Sequence, residues 1–292
     1  MNIEKSTAFT YQAKQGVKPE ISLGHLGVRV ILKKNLTEEE IANPNIYSIE
    51  CGYADDERHF DHHGENFMYD CPCNNKELVN ILNKPKTGIT VILSHIDADC
   101  FTALSQMLLG TKSRDLDLDL LESLDMKGTS ILKDDKFNTT LLYFIGVGAL
   151  SRNLKVPRVT DEAQDITSIV EVMLNKSVED IIEIGRETQE EAEKAYSECF
   201  VTLKSGVTLI NQKNGFSVDP SRGYEDGAKV VVLYRECWKT VSVYAAPNND
   251  LTFKGKTIAG INFDGQPKAC GSPRGETFTF EDAERVFQEL IN

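Results

Sequence analysis

The sequence predicts an α/β protein, with a mostly parallel sheet in an N-terminal domain and a smaller α+β domain after it. Three observations carry that expectation. Short β-branched runs alternate with helical patterns through the first half, as in a layered parallel sheet. A long helical pattern then turns polar nearly all round at 186–194, as helices that bridge domains do. Beyond residue 200 the texture changes to paired strands closed by one amphipathic helix. The expected bounds are 1–190 for the first domain, 200–292 for the second and 176–199 for the bridging helix.

Taken in order, "VRVIL" (28–32), "IYSIE" (46–50) and "ITVIL" (89–93) are runs of the kind found in buried strands. Helical patterns occupy "NKELVNILN" (75–83), "FTALSQMLL" (101–109), "LDLDLLESL" (116–124) and "TLLYFIGVGALSRNL" (140–154). Within the last, "GVG" (146–148) reads as close helix packing and not as a nucleotide loop. Thr160, followed by two acids, is expected to open the helix of "ITSIVEVML", with Asn175 as its stop. Ser177 and Asp180 have capping-box form ahead of the bridging helix. Next, "FVTLKSGVTLI" (200–210) reads as a hairpin turning at Gly206, and "KVVVLY" (229–234) with "TVSVYAA" (240–246) as a strand pair. "KTIAGINF" adds a strand, and "TFEDAERVFQELI" (279–291) a final helix with Thr279 as N-cap.

The chain has 292 residues, enough for two cores. Its net charge of −13 is unevenly placed: residues 1–199 hold 21 basic and 34 acidic side chains, and the rest hold 11 of each. Much of the acidic excess reads as solvated helix faces such as "TQEEAEK". An acidic first part is a poor attractor for long nucleic acid, whose binding draws on neutralised phosphates, and a good environment for divalent cations. The start "MNIEKSTAFTYQAK" has no apolar signal core, and "LLYFIGVGAL" (141–150) is too short to span a bilayer. Seven cysteines form no regular framework. The expectation is a cytoplasmic chain with no membrane partner.

Three of the five histidines fall in "ERHFDHHGENF" (57–67), and a fourth, His95, opens "HIDADC" after a strand. Read as an extended segment, His95, Asp97 and Asp99 would share one face beyond the strand's carboxyl end, where open α/β sheets bind ligands. Two carboxylates and an imidazole on one face are costly without a cation, and such donors suit Mn²⁺, Mg²⁺, Fe²⁺ or Zn²⁺. "HFDHHGE" adds imidazoles with a carboxylate able to fix a tautomer. "CPC" (71–73) with Cys51 lacks a second C-x-x-C pair, so a zinc site is not expected there.

Asp61-His62-His63 with Gly64 resembles the signature of the DHH phosphoesterase superfamily. "SHIDADCFTAL" resembles that family's motif in which a strand delivers a His and two Asp ahead of a helix. "FDGQPKACGSPRG" (263–275) resembles the glycine-rich loop of the DHH-associated domain. Here the first two motifs come in reversed order, and Gln266 stands where that loop usually has His.

The resemblance implies two divalent ions, Mn²⁺ or else Mg²⁺ or Fe²⁺. It places His95 and Asp97 on one, and Asp99 and His62 on the other. Asp61 would orient His62, and His63 would contact phosphate or the leaving oxygen. Asp125, or else Asp55 or Asp56, is the candidate further carboxylate. The glycine-rich loop would grip phosphate through Gly265, Gln266, Lys268, Gly271, Ser272 and Arg274, with Arg222 in a second candidate loop, "DPSRGYEDG" (219–227). Trp238, the only tryptophan, reads equally as a stacking surface for a base or as a packed side chain. The implied activity is hydrolysis of a small phosphate ester, such as a nucleotide or short oligonucleotide phosphodiester, by metal-activated water. A pyrophosphatase or polyphosphatase is the alternative enzyme. A non-catalytic relative that binds nucleotide or a protein partner is the alternative of another class.

Overall fold

The computed structural model describes residues 21–66, 68–75, 78, 88–110, 116–132 and 134–292. The helical pattern at 75–83 lies almost wholly outside them. The fold is α/β and divides into two compact units: residues up to Glu122 with Leu150–Ile181, and Ser123–Ala149 with Ile182–Asn292.

The first unit is built on five strands: β1 (Val28–Leu32), β2 (Ile46–Ile49), β3 (His59–Phe60), β4 (Ile89–Leu93) and β5 (Gln164–Asp165). They lie in the order β3-β2-β4-β1-β5, all parallel except β5, which runs antiparallel to β1. The continuous apolar run of β4 explains its central place, with Val91 and Leu93 fully buried. A short helix α1 (Glu38–Ala42) opens on a capping box between Thr37 and Glu40. Helix α2 (Ala98–Leu109) packs on β2 and on a 3₁₀ turn at Pro72–Asn74. It starts three residues before the predicted pattern, because Asp97 accepts the Cys100 amide at 2.9 Å as N-cap.

Two further helices belong to this stretch of chain, α3 (Leu118–Lys127) and α4 (Thr139–Asn153). Helix α5 (Thr167–Leu174) ends at Asn175 as predicted, but Thr160 does not open it. Ile166 stands at its N-cap, β5 intervenes, and the Thr160 hydroxyl donates to the Glu162 carbonyl instead.

In the second unit, α6 (Val178–Cys199) crosses α4 closely. A Cβ on Gly185 would overlap the Leu142 carbonyl, so only glycine fits there. The predicted capping box of α6 is present, Ser177 and Asp180 exchanging two bonds of 3.0 Å. Beyond it come β6 (Phe200–Lys204), β7 (Val207–Gln212), a short α7 (Arg222–Glu225), β8 (Val230–Arg235) and β9 (Thr240–Ala245). Next are β10 (Thr257–Ile258), β11 (Ile261–Asn262), β12 (Asp264–Gln266) and β13 (Ala269–Gly271). The sheet order is β12-β13-β9-β8-β7-β6, with β7 and β8 parallel. Ser205 (φ 52°) and Gly206 (φ 77°) make the predicted hairpin turn.

"KTIAGINF" is a two-stranded ribbon, β10 with β11, and not one strand, because Ala259 (φ 50°) and Gly260 (φ 79°) reverse the chain. Helix α8 (Phe280–Ile291), capped by Thr279, lays Ala283, Val286 and Phe287 on one face of this sheet. The end of α6 covers Ile210, Val231 and Leu233 on the other. Among the described residues, no helix is long and apolar enough to cross a membrane.

Candidate functional site

Three parallel strands of the first unit end side by side. Ile49 of β2 pairs with Leu93 of β4 on one side and Phe60 of β3 on the other. The residues that follow, Glu50, Asp61–His63 and Ser94–Asp99, therefore leave the sheet at one edge, beyond its carboxyl ends.

Glu50 is the residue that sequence reasoning missed. It is 5% exposed and takes φ 57°, a left-handed conformation uncommon outside glycine and concentrated at functional sites. Its Oε1 lies 3.0 Å from His62 Nε2 and its Oε2 lies 2.8 Å from His95 Nε2. The available signal was the last letter of "IYSIE", an acid at the carboxyl end of a strand. Only the sheet order places it between two histidines.

Two sets of donors result, sharing Glu50. In one, His95 Nε2 also lies 2.9 Å from Asp97 Oδ2 and 4.0 Å from Cys100 Sγ, while Ser94 Oγ holds His95 Nδ1 at 2.6 Å. In the other, His62 Nε2 lies 3.9 Å from Asp99 Oδ2 and 3.9 Å from Cys71 Sγ. His63 sets its more exposed ring edge-on to His62 at 4.4 Å, with Nδ1 3.5 Å from Glu50 Oε1. The extended-segment reading of His95, Asp97 and Asp99 is corrected. Asp97 caps α2 and Asp99 sits in its first turn, so the two acids fall in different sets.

The electrostatics follow from burial and pairing. Burial opposes the charge on Glu50, yet bonds to His62 and His95 outweigh it and hold its carboxyl well below the usual range. Asp99 moves the other way, raised by burial and then by the negative charge of Glu50. His62 is pushed up to about 11 by its contacts with Cys71 and Glu50. For His95 burial works against the charged form, but bonds to Asp97 and Glu50 prevail and bring it to about 10. Carboxylates thus draw a proton onto both imidazoles, and a divalent cation bound at these nitrogens would take its place.

The donor set fits a divalent cation. Asp99 is fully buried; its Oδ1 accepts the Cys73 amide at 2.6 Å, but its Oδ2 has no hydrogen-bond partner among the described residues. An orphaned buried carboxylate oxygen calls for a ligand, and imidazole with carboxylate suits first-row divalent metals.

The remaining predicted residues have varied placements. Asp61, buried, accepts the Gly52 amide at 2.5 Å and the His63 amide at 2.7 Å, tying the loop after β2 to the loop after β3. Asp55 accepts the amides of Glu57, Arg58 and His59, and Asp56 accepts the Asn75 side chain at 2.8 Å. His59 is fully buried, with Nδ1 2.9 Å from the Ser48 hydroxyl and burial lowering its pKa, which makes it a structural histidine. Asp125 lies on α3, within the second unit. Cys51 directs its thiol to backbone carbonyls of Lys33, Ile49 and Ile92.

In the second unit, the predicted glycine-rich loop is the β12–β13 hairpin. Gly265 has φ 142°, and a Cβ there would lie 2.7 Å from the Ala269 carbonyl. Gln266 and Arg274 are exposed, Lys268 Nζ donates to the Pro247 and Asn249 carbonyls, and Ser272 pairs with the Val241 backbone. Gly271 sits opposite Ser242 on β9. Arg222 is buried, and its guanidinium pairs with Glu225 and Glu193 rather than facing solvent. Arg235, not singled out beforehand, stands on the same sheet beside the predicted Trp238. Arg235 donates to Ser242 Oγ at 2.9 Å and Tyr244 OH at 2.8 Å, and the 67% exposed Trp238 ring lies 5.7 Å from its guanidinium.

No family model and no curated protein matches the chain. Among solved structures it is similar to a pGpG-specific phosphodiesterase, PggH, from Vibrio cholerae, at 14% identity and a TM-score of 0.38 over 72% of this chain and 81% of that one. It is also similar to an exopolyphosphatase-related protein from Bacteroides fragilis, at 13% identity and a TM-score of 0.26 over 87% and 74%. A third likeness is to an uncharacterized protein from Helicobacter pylori, at 14% identity and a TM-score of 0.24 over 57% and 53% of the two chains.

Proposed function

We propose that the chain is a divalent-metal-dependent phosphohydrolase acting on a nucleotide or short oligonucleotide phosphodiester. The observation that carries this reading is Glu50, whose two oxygens reach His62 and His95 at 3.0 and 2.8 Å, so that one carboxylate serves two donor sets. His95, Asp97 and Glu50 would hold one ion, and His62, Asp99 and Glu50 the other. Asp125 is carried from the sequence as a further carboxylate. Mn²⁺ is the ion proposed, with Mg²⁺ and Fe²⁺ as alternatives. Bound there, a pair of such ions would supply hydroxide at neutral pH and draw charge from the phosphoryl oxygens.

The chain's own groups then have distinct tasks. His63, with 58% of its side chain exposed, is the group able to reach a phosphoryl or leaving oxygen and give it a hydrogen bond or proton. Asp61 fixes His63 through its amide. Within the second unit, Gln266, Arg274 and the glycines of the β12–β13 hairpin are the proposed phosphate contacts. Lys268 and Ser272 would support that hairpin, whereas the buried Arg222 is engaged by Glu193 and Glu225. Trp238 over Arg235 supports a nucleotide in preference to inorganic polyphosphate, since an exposed indole offers a base a stacking face.

The test is hydrolysis of a panel with and without Mn²⁺: short oligonucleotides, a cyclic dinucleotide, pyrophosphate and long single strands. Mn²⁺-dependent cleavage of the first two, abolished in Asp99→Ala, is the expected result. An Asp99→Ala variant as active as the parent would refute the assignment.

A further inference from the structure

We infer that Cys71 and Cys100 are ligands, one in each donor set, which makes the centre selective for thiophilic divalent ions such as Fe²⁺, Co²⁺ or Zn²⁺ over Mg²⁺. The inference deepens the metal reading proposed above and rests on it.

The two thiols occupy equivalent places. Cys71 Sγ lies 3.9 Å from His62 Nε2, and Cys100 Sγ lies 4.0 Å from His95 Nε2. Each is tied through a backbone amide to the acid of its own set. The turn that begins at Cys71 sends the Cys73 amide to Asp99 Oδ1 at 2.6 Å, and the Cys100 amide reaches Asp97 Oδ1 at 2.9 Å. Cys100 Sγ further stands 3.1 Å from Glu50 Oε2. Both side chains are buried, at 1% and 0% exposure.

A metal with one sulfur ligand at about 2.3 Å and one nitrogen ligand at about 2.0 Å, in tetrahedral array, separates those atoms by roughly 3.5 Å. Bringing each sulfur to that distance from its imidazole nitrogen would take a movement of about half an ångström. Asp99 Oδ2, buried and without a hydrogen-bond partner among the described residues, gives the second set an independent reason to hold an ion. Cys51 and Cys73 are buried nearby but do not share this placement. Cys51 faces backbone carbonyls, and Cys73 has its sulfur 3.8 Å from that of Cys71. On binding, each ligating thiol forms a metal–sulfur bond and releases its proton to solvent. Thiolate is a soft donor, and soft donors favour Fe²⁺, Co²⁺ and Zn²⁺ over the hard ion Mg²⁺.

The test is anaerobic Co²⁺ loading of the full chain, read by the near-ultraviolet thiolate-to-metal charge-transfer band. The band should be present in the parent, weakened to about half in Cys71→Ser and in Cys100→Ser, and absent in the double variant. Should a variant fail to fold, X-ray absorption of the Zn²⁺-loaded parent decides the matter, with a sulfur scatterer at about 2.3 Å expected. Co²⁺ bound without a charge-transfer band, or Zn²⁺ with nitrogen and oxygen neighbours alone, overturns the thiol assignment and leaves the hydrolase reading standing. A parent that binds neither ion overturns both.

Discussion

Glu50 Oε2 stands 2.8 Å from His95 Nε2 across two strands that are distant in sequence and adjacent in the sheet. The contact joins an acid held in a left-handed conformation to an imidazole that sits just beyond β4. Replacing Glu50 by Gln keeps the shape and removes the charge that both histidines face. Metal affinity and turnover should fall by at least about 100-fold, the upper end of what supporting residues alone contribute at metal sites. Metal content by mass spectrometry and kcat on the preferred substrate check this. Unchanged metal content would remove Glu50 from the site.

Asp61 acts on the backbone, and its loss should be felt in stability as well as in turnover. Two amides, of Gly52 and His63, end on its carboxylate. Hydrogen bonds to a buried charged acceptor are worth about 1.5–3 kcal/mol each. Asp61→Ala should therefore lower the urea midpoint of metal-free protein clearly, whereas His63→Ala should lower kcat with little change in that midpoint.

Asp55 supplies a pH dependence independent of any ion. Burial opposes its charge, but the amides of Arg58, His59 and Glu57 hold its carboxyl below the usual value. A depressed folded pKa means that the unfolded chain binds the proton more readily. The stabilisation is then complete above the unfolded value near about 4 and is lost as pH falls through the folded one. Denaturant midpoints between neutral and strongly acidic pH should fall less steeply in Asp55→Asn than in the parent, and equal slopes would remove Asp55 as a contributor.

Trp238 offers an optical readout, because the chain has one tryptophan. Fluorescence excited selectively at indole should be quenched by a nucleoside monophosphate and not by pyrophosphate. Trp238→Ala should raise KM for nucleotide substrates by about 5- to 100-fold, the range of one base–aromatic stack. Quenching by pyrophosphate to the same extent would argue against stacking.

Gly185 marks a close approach of α6 to α4. A methyl group there would overlap the Leu142 carbonyl, a backbone atom that cannot swing aside. Gly185→Ala should cost about 2–3 kcal/mol, as overpacked contacts do, against the small gain that alanine brings to an unconstrained helix. A thermal melt measures it.

The strands were legible in the sequence because strands buried on both faces read as short apolar runs, as β4 and β8 do. Asn175, Ser177, Gly206 and Thr279 were legible as caps and turns because each acts within a few residues of itself. Thr160 was not, since an acid-rich loop ahead of a helix looks like a cap until β5 is seen between them. The site was half legible. Histidines and aspartates clustered at 59–63 and 95–99 announce themselves by density, but Glu50 stands alone and gains meaning only through the order β3-β2-β4. Sequence spacing groups the cysteines of "CPC" with Cys51, whereas in space Cys71 lies beside His62.

The register that pairs Ile49 with Leu93 has a consequence for the life of the molecule. Glu50 and His95 meet only once β2 and β4 have zipped together, so an unfolded chain presents no comparable binding set. Whatever ion is captured there adds its binding free energy to that of folding. The melting temperature should then rise with free-ion concentration and fall on chelation. Ion supply would set the lifetime of the first unit as well as its rate of turnover.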